Sequence, residues 1–463
     1  MRCGVKINHD DTIAAISTLS GFAGIGIVRL SGPAALNIAS KIFHPKTKKK
    51  ISELSANTVH LGKITDGKKF VDEVLLTVMK APKSYTREDI VEISCHGGPV
   101  PLKKTLDLCV KYGARLADPG EFTKRAYLNG RIDLAQAEAA CDIIKAKTEA
   151  ALSCAVSQLS GVLSEEINRQ KSELVDILAT IEAAIDYSED EIPVIDGEKI
   201  LGKVEKIGIA LDKILLTFQT GKIYRDGVRT AIIGKPNAGK SSLLNVLVGQ
   251  NRAIVTEIPG TTRDIIEETI DILGIPLILT DTAGIRKHST NVIEKIGIER
   301  AQETLKNSDL VLFVMDSSCV LSSEDFHIAE MLLSKKVILV LNKSDKPSKI
   351  GNVSELEIPA PVVAISAIKN EGIEKLKKII YDLFITIDIN TSDFLLTNIR
   401  HKILIGNALD SVESAVASVK NGLSEEFTAT ELRSALNYLG EITGEVPTEE
   451  ILDRIFSNFC VGK

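Results

Sequence analysis

Apolar and polar positions give the chain four textures. Up to about residue 125, short apolar runs alternate with glycine-rich turns. Ile25 to Leu30, Val71 to Met79 and Asp89 to Ser94 read as strands, and Pro33 to Ile42 reads as a helix. That mixture predicts an α+β domain. From Leu134 to about Thr220, Ala, Leu, Glu and Lys dominate, and apolar side chains recur at helical spacing, as in Ile167, Leu174, Ile177, Leu178 and Ile181. The stretch Asp186 to Gly197 carries a proline and an acid cluster, which predicts the turn of a long helical hairpin. From Val228 to about Ile385 strand and helix patterns alternate, as in a mostly parallel sheet with crossover helices. Helical spacing then returns through Lys463, where Thr428 and Glu431 form a capping-box pattern at a helix start. No internal repeat is present. The fold class expected is therefore multidomain α+β and α/β. Residues 1–127 form the N-terminal domain, 128–225 and 387–463 form one discontinuous helical domain, and 226–386 form an α/β domain inserted between its halves.

Composition narrows this little. The 463 residues are 44% hydrophobic and 25% charged, with a formal net charge of -6, an ordinary globular balance that advertises no nucleic-acid binding. The basic run Pro45 to Lys50 reads as a solvated loop. The seven cysteines are scattered, odd in number and without a C-x-x-C pair. That excludes a disulfide framework or a zinc site and fits a reducing, cytoplasmic setting. The first residues read as no secretory signal, and no apolar run reaches the length of a membrane span.

The chemistry enters at Gly234 to Ser241, which matches G-x-x-x-x-G-K-S between the apolar strand Thr230 to Ile233 and a helix, Ser242 to Val248. Glycines let backbone N–H groups of Asn237, Ala238, Gly239, Lys240, Ser241 and Ser242 wrap phosphates, and the helix N-terminus adds positive potential. Lys240 is expected to reach the β- and γ-phosphates and the Ser241 hydroxyl to ligate Mg²⁺. Three further elements follow in order. A buried strand ends in Asp281, Thr282, Ala283 and Gly284, where the acid can hold Mg²⁺ through water and the glycine N–H can meet a γ-phosphate. A second ends in Asn342, Lys343, Ser344 and Asp345, and a third in Ser366 and Ala367. A carboxylate at Asp345 can accept both the N1–H and the 2-amino group of guanine, which adenine lacks. Two charge-assisted bonds imply a preference of roughly 10²–10⁴. Between these motifs, Gly260 to Asp264 holds a threonine suited to completing the Mg²⁺ shell. Thr262 is the choice and Thr261 its competitor. These motifs read as a GTP-hydrolysing site.

One position breaks the usual scheme. Ile285 follows Gly284, where many small GTPases place a water-positioning glutamine, and an aliphatic side chain cannot orient water. The catalytic group must come from elsewhere, or turnover is slow. No arginine finger is obvious, although Arg263 and Arg286 are eligible.

The set Gly260–Asp264, Asp281–Arg286 and Asn342–Asp345 resembles the Era-like GTPases. Flanking segments narrow the resemblance: GIGIVRLSG at 24–32, SYTREDIVEISCHGGP at 84–99, PGEFTKRAYLNGRIDLAQAE at 119–138 and IFSNFCVGK at 455–463 are similar to the tRNA-modification GTPase family MnmE (TrmE). The resemblance covers essentially the whole chain. It implies a homodimer that works with a flavin-dependent partner of the MnmG/GidA family, in a two-plus-two heterotetramer, on C5 of the wobble uridine of certain tRNAs. The group added is an aminomethyl or carboxymethylaminomethyl group. It implies that the N-terminal domain binds a folate, 5,10-methylenetetrahydrofolate, with 5-formyltetrahydrofolate as a binding analogue, and mediates dimerisation.

The resemblance also assigns residues. Arg29, Glu92, Arg131 and Lys463 match folate contacts; a carboxylate suits the 2-amino-4-oxo face of a pterin and guanidinium groups suit folate carboxylates. Thr256, Glu257, Ile258, Pro259, Gly260 and Thr261 match a loop that wraps nucleotide and K⁺. Asn237, Thr256, Ile258 and Thr261 match the K⁺ contacts, and the ion sits where an arginine finger would act. Glu294 matches the acid that orients water, which makes Glu294, Lys240 and Thr262 the expected catalytic set. The loop Lys287 to Asn291 before it is a residue longer than in some members. Cys460 reads as a buried structural thiol, since nothing near it in sequence depresses a thiol pKa, although a catalytic role is the alternative. The competing reading of the whole chain is an Era-type ribosome-assembly switch, but the C-terminus lacks the G-x-x-G loop of a KH module.

Overall fold

The computed structural model describes residues 11–19, 21–47, 50–186, 197–251, 268–279, 305–387, 394–445 and 447–462. The N-terminal unit holds strands β1 (Ile13–Ile16), β2 (Ile25–Ser31), β3 (Phe43–Pro45), β4 (Thr58–Asp66), β5 (Lys69–Met79), β6 (Ile90–His96) and β7 (Arg115–Leu116). Its helices are α1 (Ala35–Ile42), α2 (Pro99–Lys111) and α3 (Glu121–Leu128). The strands form one sheet, ordered β3-β4-β5-β6-β2-β1-β7 and antiparallel except for the β1–β7 pair. Alternation decides which side is covered. Val28, Leu30, Leu76, Val78, Val91 and Ile93 point to one face and pack on α1 and α2 through Ile38, Ile42, Leu102 and Leu108. The other face keeps Val59, Leu61 and Leu75 exposed.

The helical segment differs from the expected long hairpin. It is five helices: α4 (Leu134–Lys145), α5 (Glu149–Ser160), α6 (Val162–Asp186), α7 (Gly197–Leu216) and α8 (Phe218–Asp226). Only α6 and α7 have the length of hairpin arms. The breaks lie at local signals that periodicity passes over. Asp133 and Gln136 cap α4 reciprocally, Thr148 caps α5 through the Ala151 N–H, and Gly161 ends α5 in a left-handed conformation at φ 99°.

The second α/β unit is a six-stranded sheet ordered β13-β12-β11-β8-β10-β9. Its strands are β8 (Val228–Ile233), β9 (Glu268–Ile272), β10 (Ile275–Leu279), β11 (Leu310–Asp316), β12 (Val337–Asn342) and β13 (Val362–Ala364). All pairs are parallel except β9–β10. Helices α9 (Lys240–Asn251), α10 (Ser323–Leu332) and α11 (Ile373–Phe384) flank it. The strands are nearly continuous apolar runs because both faces are covered, and two cores lie on opposite sides of the sheet.

The chain then returns to the helices through α12 (Ile399–Lys420), α13 (Glu425–Thr443) and α14 (Glu449–Phe456). Leu174 and Ile177 of α6, Val204 and Leu211 of α7, Ile405 and Val412 of α12, and Leu432 and Leu439 of α13 form one core. Segments on either side of the inserted sheet therefore build a single helical layer, as the split pattern predicted. Thr428 corrects the sequence reading. It does not start a helix but lies inside α13, buried, with its hydroxyl bonded to that of Ser418; α13 begins after Ser424. A charged cluster pins the two halves: Glu138 of α4 takes paired bonds from Arg400 at 3.0 and 2.8 Å and one from His401 at 2.6 Å.

Candidate functional site

The phosphate-type loop runs from the end of β8 into α9, and its shape is forced by close packing. Gly234 adopts φ 152°, and a Cβ there would sit 2.0 Å from the Val314 carbonyl oxygen of β11. Gly239 adopts φ 98°, and its Cβ would meet Asn342 Nδ2 at 2.0 Å. Asn237 stands between them in the left-handed region at φ 64°, which asparagine tolerates better than most residues. Inside the loop, the Lys240 ammonium donates to the Gly234 and Lys235 carbonyls, each at 2.7 Å. Burial away from water pushes its pKa down.

The ends of β12 and β13 close on this loop. Asn342 is buried; its Nδ2 donates to the Ala238 carbonyl at 3.0 Å, and its Oδ1 accepts from Lys343 N at 2.8 Å and Ala367 N at 3.1 Å. One amide thus joins three segments that are distant in sequence. Lys343 adopts φ 63°, and its ammonium reaches the Asn237 carbonyl at 2.8 Å and Asp316 at 2.6 Å. Burial opposes the charge on Asp316, but hydrogen bonds from Lys343 and Ser318 outweigh it and hold its pKa at about 2. Asp345 accepts from the Ser366 hydroxyl at 2.6 Å, which lowers its pKa and aims its carboxylate beside the same cleft. A carboxylate here can accept from a base with adjacent donors, and the loop's backbone N–H groups and Lys240 have the chemistry to meet phosphates.

Of the expected nucleotide residues, Asn237, Ala238, Gly239, Lys240, Ser241, Ser242, Asn342, Lys343, Asp345, Ser366 and Ala367 are described and gather at one end of the parallel sheet, beyond the strands' carboxyl ends. Thr256 through Thr262, Asp281 through Gly284, Ile285 and Glu294 lie outside the described residues.

A second polar site lies in the N-terminal unit. Arg29 and Glu92 face each other across β2 and β6 in register. The Arg29 guanidinium binds Glu92 Oε1 through Nε at 2.8 Å and Nη2 at 2.7 Å. Its Nη1 donates to the Gly462 carbonyl at 3.2 Å. Arg29 also lies over Phe122 at 5.5 Å and Tyr85 at 6.0 Å, and Arg131 covers Tyr85 at 4.7 Å. Two guanidinium groups, two aromatic rings and one carboxylate thus meet here. The C-terminal segment completes the cluster: Pro119 bridges Val461, Ser17 donates to Gly462 O at 3.0 Å, and a Cβ at Gly462 would meet Ile16 O at 2.5 Å. Lys463 lies outside the described residues. Cys460 is exposed, which overturns its reading as a buried thiol. Sequence reasoning passed over Tyr85, Phe122 and Gly462. All three sit inside the segments that carried the family resemblance, and that was their only signal.

Two family models match this chain, one described as the MnmE helical domain over residues 134–460 and one as the GTP-binding protein TrmE N-terminus over residues 12–131. A protein of Thermoanaerobacter pseudethanolicus named tRNA modification GTPase MnmE is 48% identical over 458 residues, covering 98% of this chain and 99% of its own length. One of the same name from Clostridioides difficile is 46% identical over 457 residues, with the same shares covered.

The chain belongs to the MnmE family.

Matches across both flanking segments exclude the ribosome-assembly reading. Among solved structures, the G domain of the T. maritima FeoB iron transporter matches with 31% identity and a TM-score of 0.25, over 34% of this chain and 97% of that one. Among the described residues, no helix is long and apolar enough to cross a membrane.

Proposed function

We propose that this chain is a GTP hydrolase that serves tRNA modification, with hydrolysis driving a reaction on C5 of the wobble uridine of certain tRNAs. The observation that carries the reading is the Asn342 amide, which ties Ala238 of the phosphate loop to Ala367 beside Asp345. It sets phosphate recognition and guanine recognition in one rigid frame. Membership of a family whose relatives are named tRNA modification GTPases supplies the downstream role. The proposed division is 1–127, 128–225, 226–386 and 387–463, with the third part carrying nucleotide.

For hydrolysis, Ser241 at the start of α9 is the proposed Mg²⁺ ligand, with Thr262 completing the shell; the ion neutralises phosphate charge when bound. Lys240 is half-buried and donates to two loop carbonyls, from where a phosphate oxygen, carrying full negative charge, is the stronger acceptor. Because Ile285 cannot orient water, Glu294 is proposed for that role, and Asn237, Thr256, Ile258 and Thr261 would hold K⁺, which would supply fixed positive charge toward the phosphates. Asn237 is exposed at φ 64°, so its side chain is open to a ligand.

For the second site, folate is the proposed ligand, held by Arg29, Glu92, Arg131 and Lys463. The paired guanidinium groups across Tyr85 suit a planar ring and its carboxylates. A homodimer through the N-terminal sheet is proposed on the exposed apolar face of Val59, Leu61 and Leu75, where Leu61 and Leu75 are cross-strand partners. tRNA, a flavin-dependent MnmG/GidA-type protein in a two-plus-two assembly, and a cytoplasmic location complete the proposal. Mass spectrometry of tRNA nucleosides from a deletion strain tests it: loss of the C5 substituent on the wobble uridine is expected, and an intact substituent refutes the reading.

A further inference from the structure

Lys235 is the first variable residue of the phosphate loop, a position that contributes no ligand contact in the arrangement above. The ammonium lies 2.6 Å from Asp325 Oδ2 and 3.0 Å from the Ser322 hydroxyl, at the first turn of α10. Asp325 is only 2% exposed, and the same Oδ2 accepts from Ser322 N at 2.9 Å and Ser322 Oγ at 3.1 Å. Its other oxygen, Oδ1, is buried without a hydrogen-bond partner. A carboxylate in that state needs the lysine as its counter-charge.

Lys235 works at both ends. While the ammonium is held by α10, the backbone carbonyl accepts from Lys240 Nζ at 2.7 Å and from Ala238 N at 3.3 Å. Gly234 before it packs so closely on Val314 that no side chain would fit there. The turn from Gly234 to Ala238 is thus anchored by sterics at one end, by Asn342 at the other, and by the Lys235–Asp325 pair in the middle. A cap that needed only to start α10 would be satisfied by Ser322 and Asp325 alone.

We propose that Asp325 and Lys235 are positioning residues for the phosphate loop: their buried ion pair fixes the loop's first turn and, through the Lys235 carbonyl, the place from which Lys240 engages phosphate. The proposal rests on reading this cleft as the GTP site.

The test uses the full chain as parent, Lys235→Met, Lys235→Arg and the double variant Lys235→Met/Asp325→Leu. The last removes both charges, so no lone buried carboxylate remains to unfold the protein. Active sites are counted by titration with a fluorescent GDP analogue, and turnover is expressed per titrated site. Lys235→Met and the double variant are expected to release the analogue about tenfold faster and to lose about tenfold in kcat, with KM for GTP changing less than kcat. Lys235→Arg is expected to stay within twofold of the parent on both measures. A pair that merely stabilises the fold lowers the number of titrated sites and leaves release and turnover per site unchanged. That outcome, in either charge-removing variant, overturns the inference. Failure of the parent to bind the analogue instead removes the GTP reading on which it rests.

Discussion

Gly239 offers a sharp test of the nucleotide cleft, because an added methyl group has a single defined consequence. At φ 98° an alanine costs about 1–2 kcal/mol relative to glycine. Its Cβ would also lie 2.0 Å from Asn342 Nδ2, so the buried amide must withdraw. Withdrawal breaks the bond to the Ala238 carbonyl and disturbs those from Ala367 N and Lys343 N. With about 1 kcal/mol net for the lost Ala238 bond, the total is about 2–3 kcal/mol even if the other two survive. Nucleotide binds only the formed loop, so this cost is drawn from binding energy, and GDP affinity should fall about 100-fold. Equilibrium titration of Gly239→Ala with a fluorescent GDP analogue measures it, with a thermal melt to confirm folding. A Kd within threefold of the parent refutes the claim that Asn342 couples the phosphate loop to the base-recognition loops.

Asp345→Asn should exchange guanine preference for xanthine preference, read as competition between GTP and XTP; unchanged GTP affinity removes Asp345 from base recognition. GTP turnover should be faster in K⁺ than in Na⁺ at equal ionic strength, and Glu294→Ala should lower turnover with GTP binding almost intact; equal rates in the two salts remove the potassium role. Arg29→Ala should abolish binding of 5-formyltetrahydrofolate by calorimetry and leave nucleotide affinity unchanged, because the guanidinium lies with Glu92 and Gly462 in the N-terminal unit rather than in the GTP cleft. Glu138→Gln should cost about 3 kcal/mol at neutral pH, since it removes the buried charge that pairs with Arg400 and His401. Burial opposes the Glu138 charge, yet His401 and Arg400 outweigh it and depress the carboxyl to about 2 from its ordinary 4.5. The folded pKa lies below the unfolded one, so this stabilisation is complete above about pH 4.5 and lost as pH falls toward 2. The gap in melting temperature between parent and variant should therefore narrow over that window, and a gap constant with pH contradicts the assignment.

The helical layer shows where sequence patterns stop being informative. Period-3.6 spacing located the apolar face of α6 through Ile167, Leu174, Ile177 and Ile181, all of them buried in the helical core. It could not locate the breaks at Asp133, Thr148 and Gly161, because a cap is one residue's hydrogen bond rather than a periodic signal. The pattern at Thr428 and Glu431 failed for the converse reason. Its threonine found a better partner in Ser418 across the neighbouring helix, and tertiary contact overrode the local rule.

The sequence by itself determined the chemistry of the nucleotide cleft. Each of its parts is a short contiguous motif at a strand end, so Gly234 to Ser241, Asn342 to Asp345 and Ser366–Ala367 are legible one at a time, and a parallel sheet needs only that order to bring them together. Tertiary structure alone decided how they are joined. The Asn342 amide bridging two loops, Asp316 beneath Lys343 and Asp325 beneath Lys235 are contacts between residues dozens of positions apart, and no spacing encodes them. The same holds for the second site, where the carbonyl of Gly462 arrives on Arg29 from 433 residues away. Residue type fixes what a side chain can do; only the packing of the folded chain fixes what it has beside it.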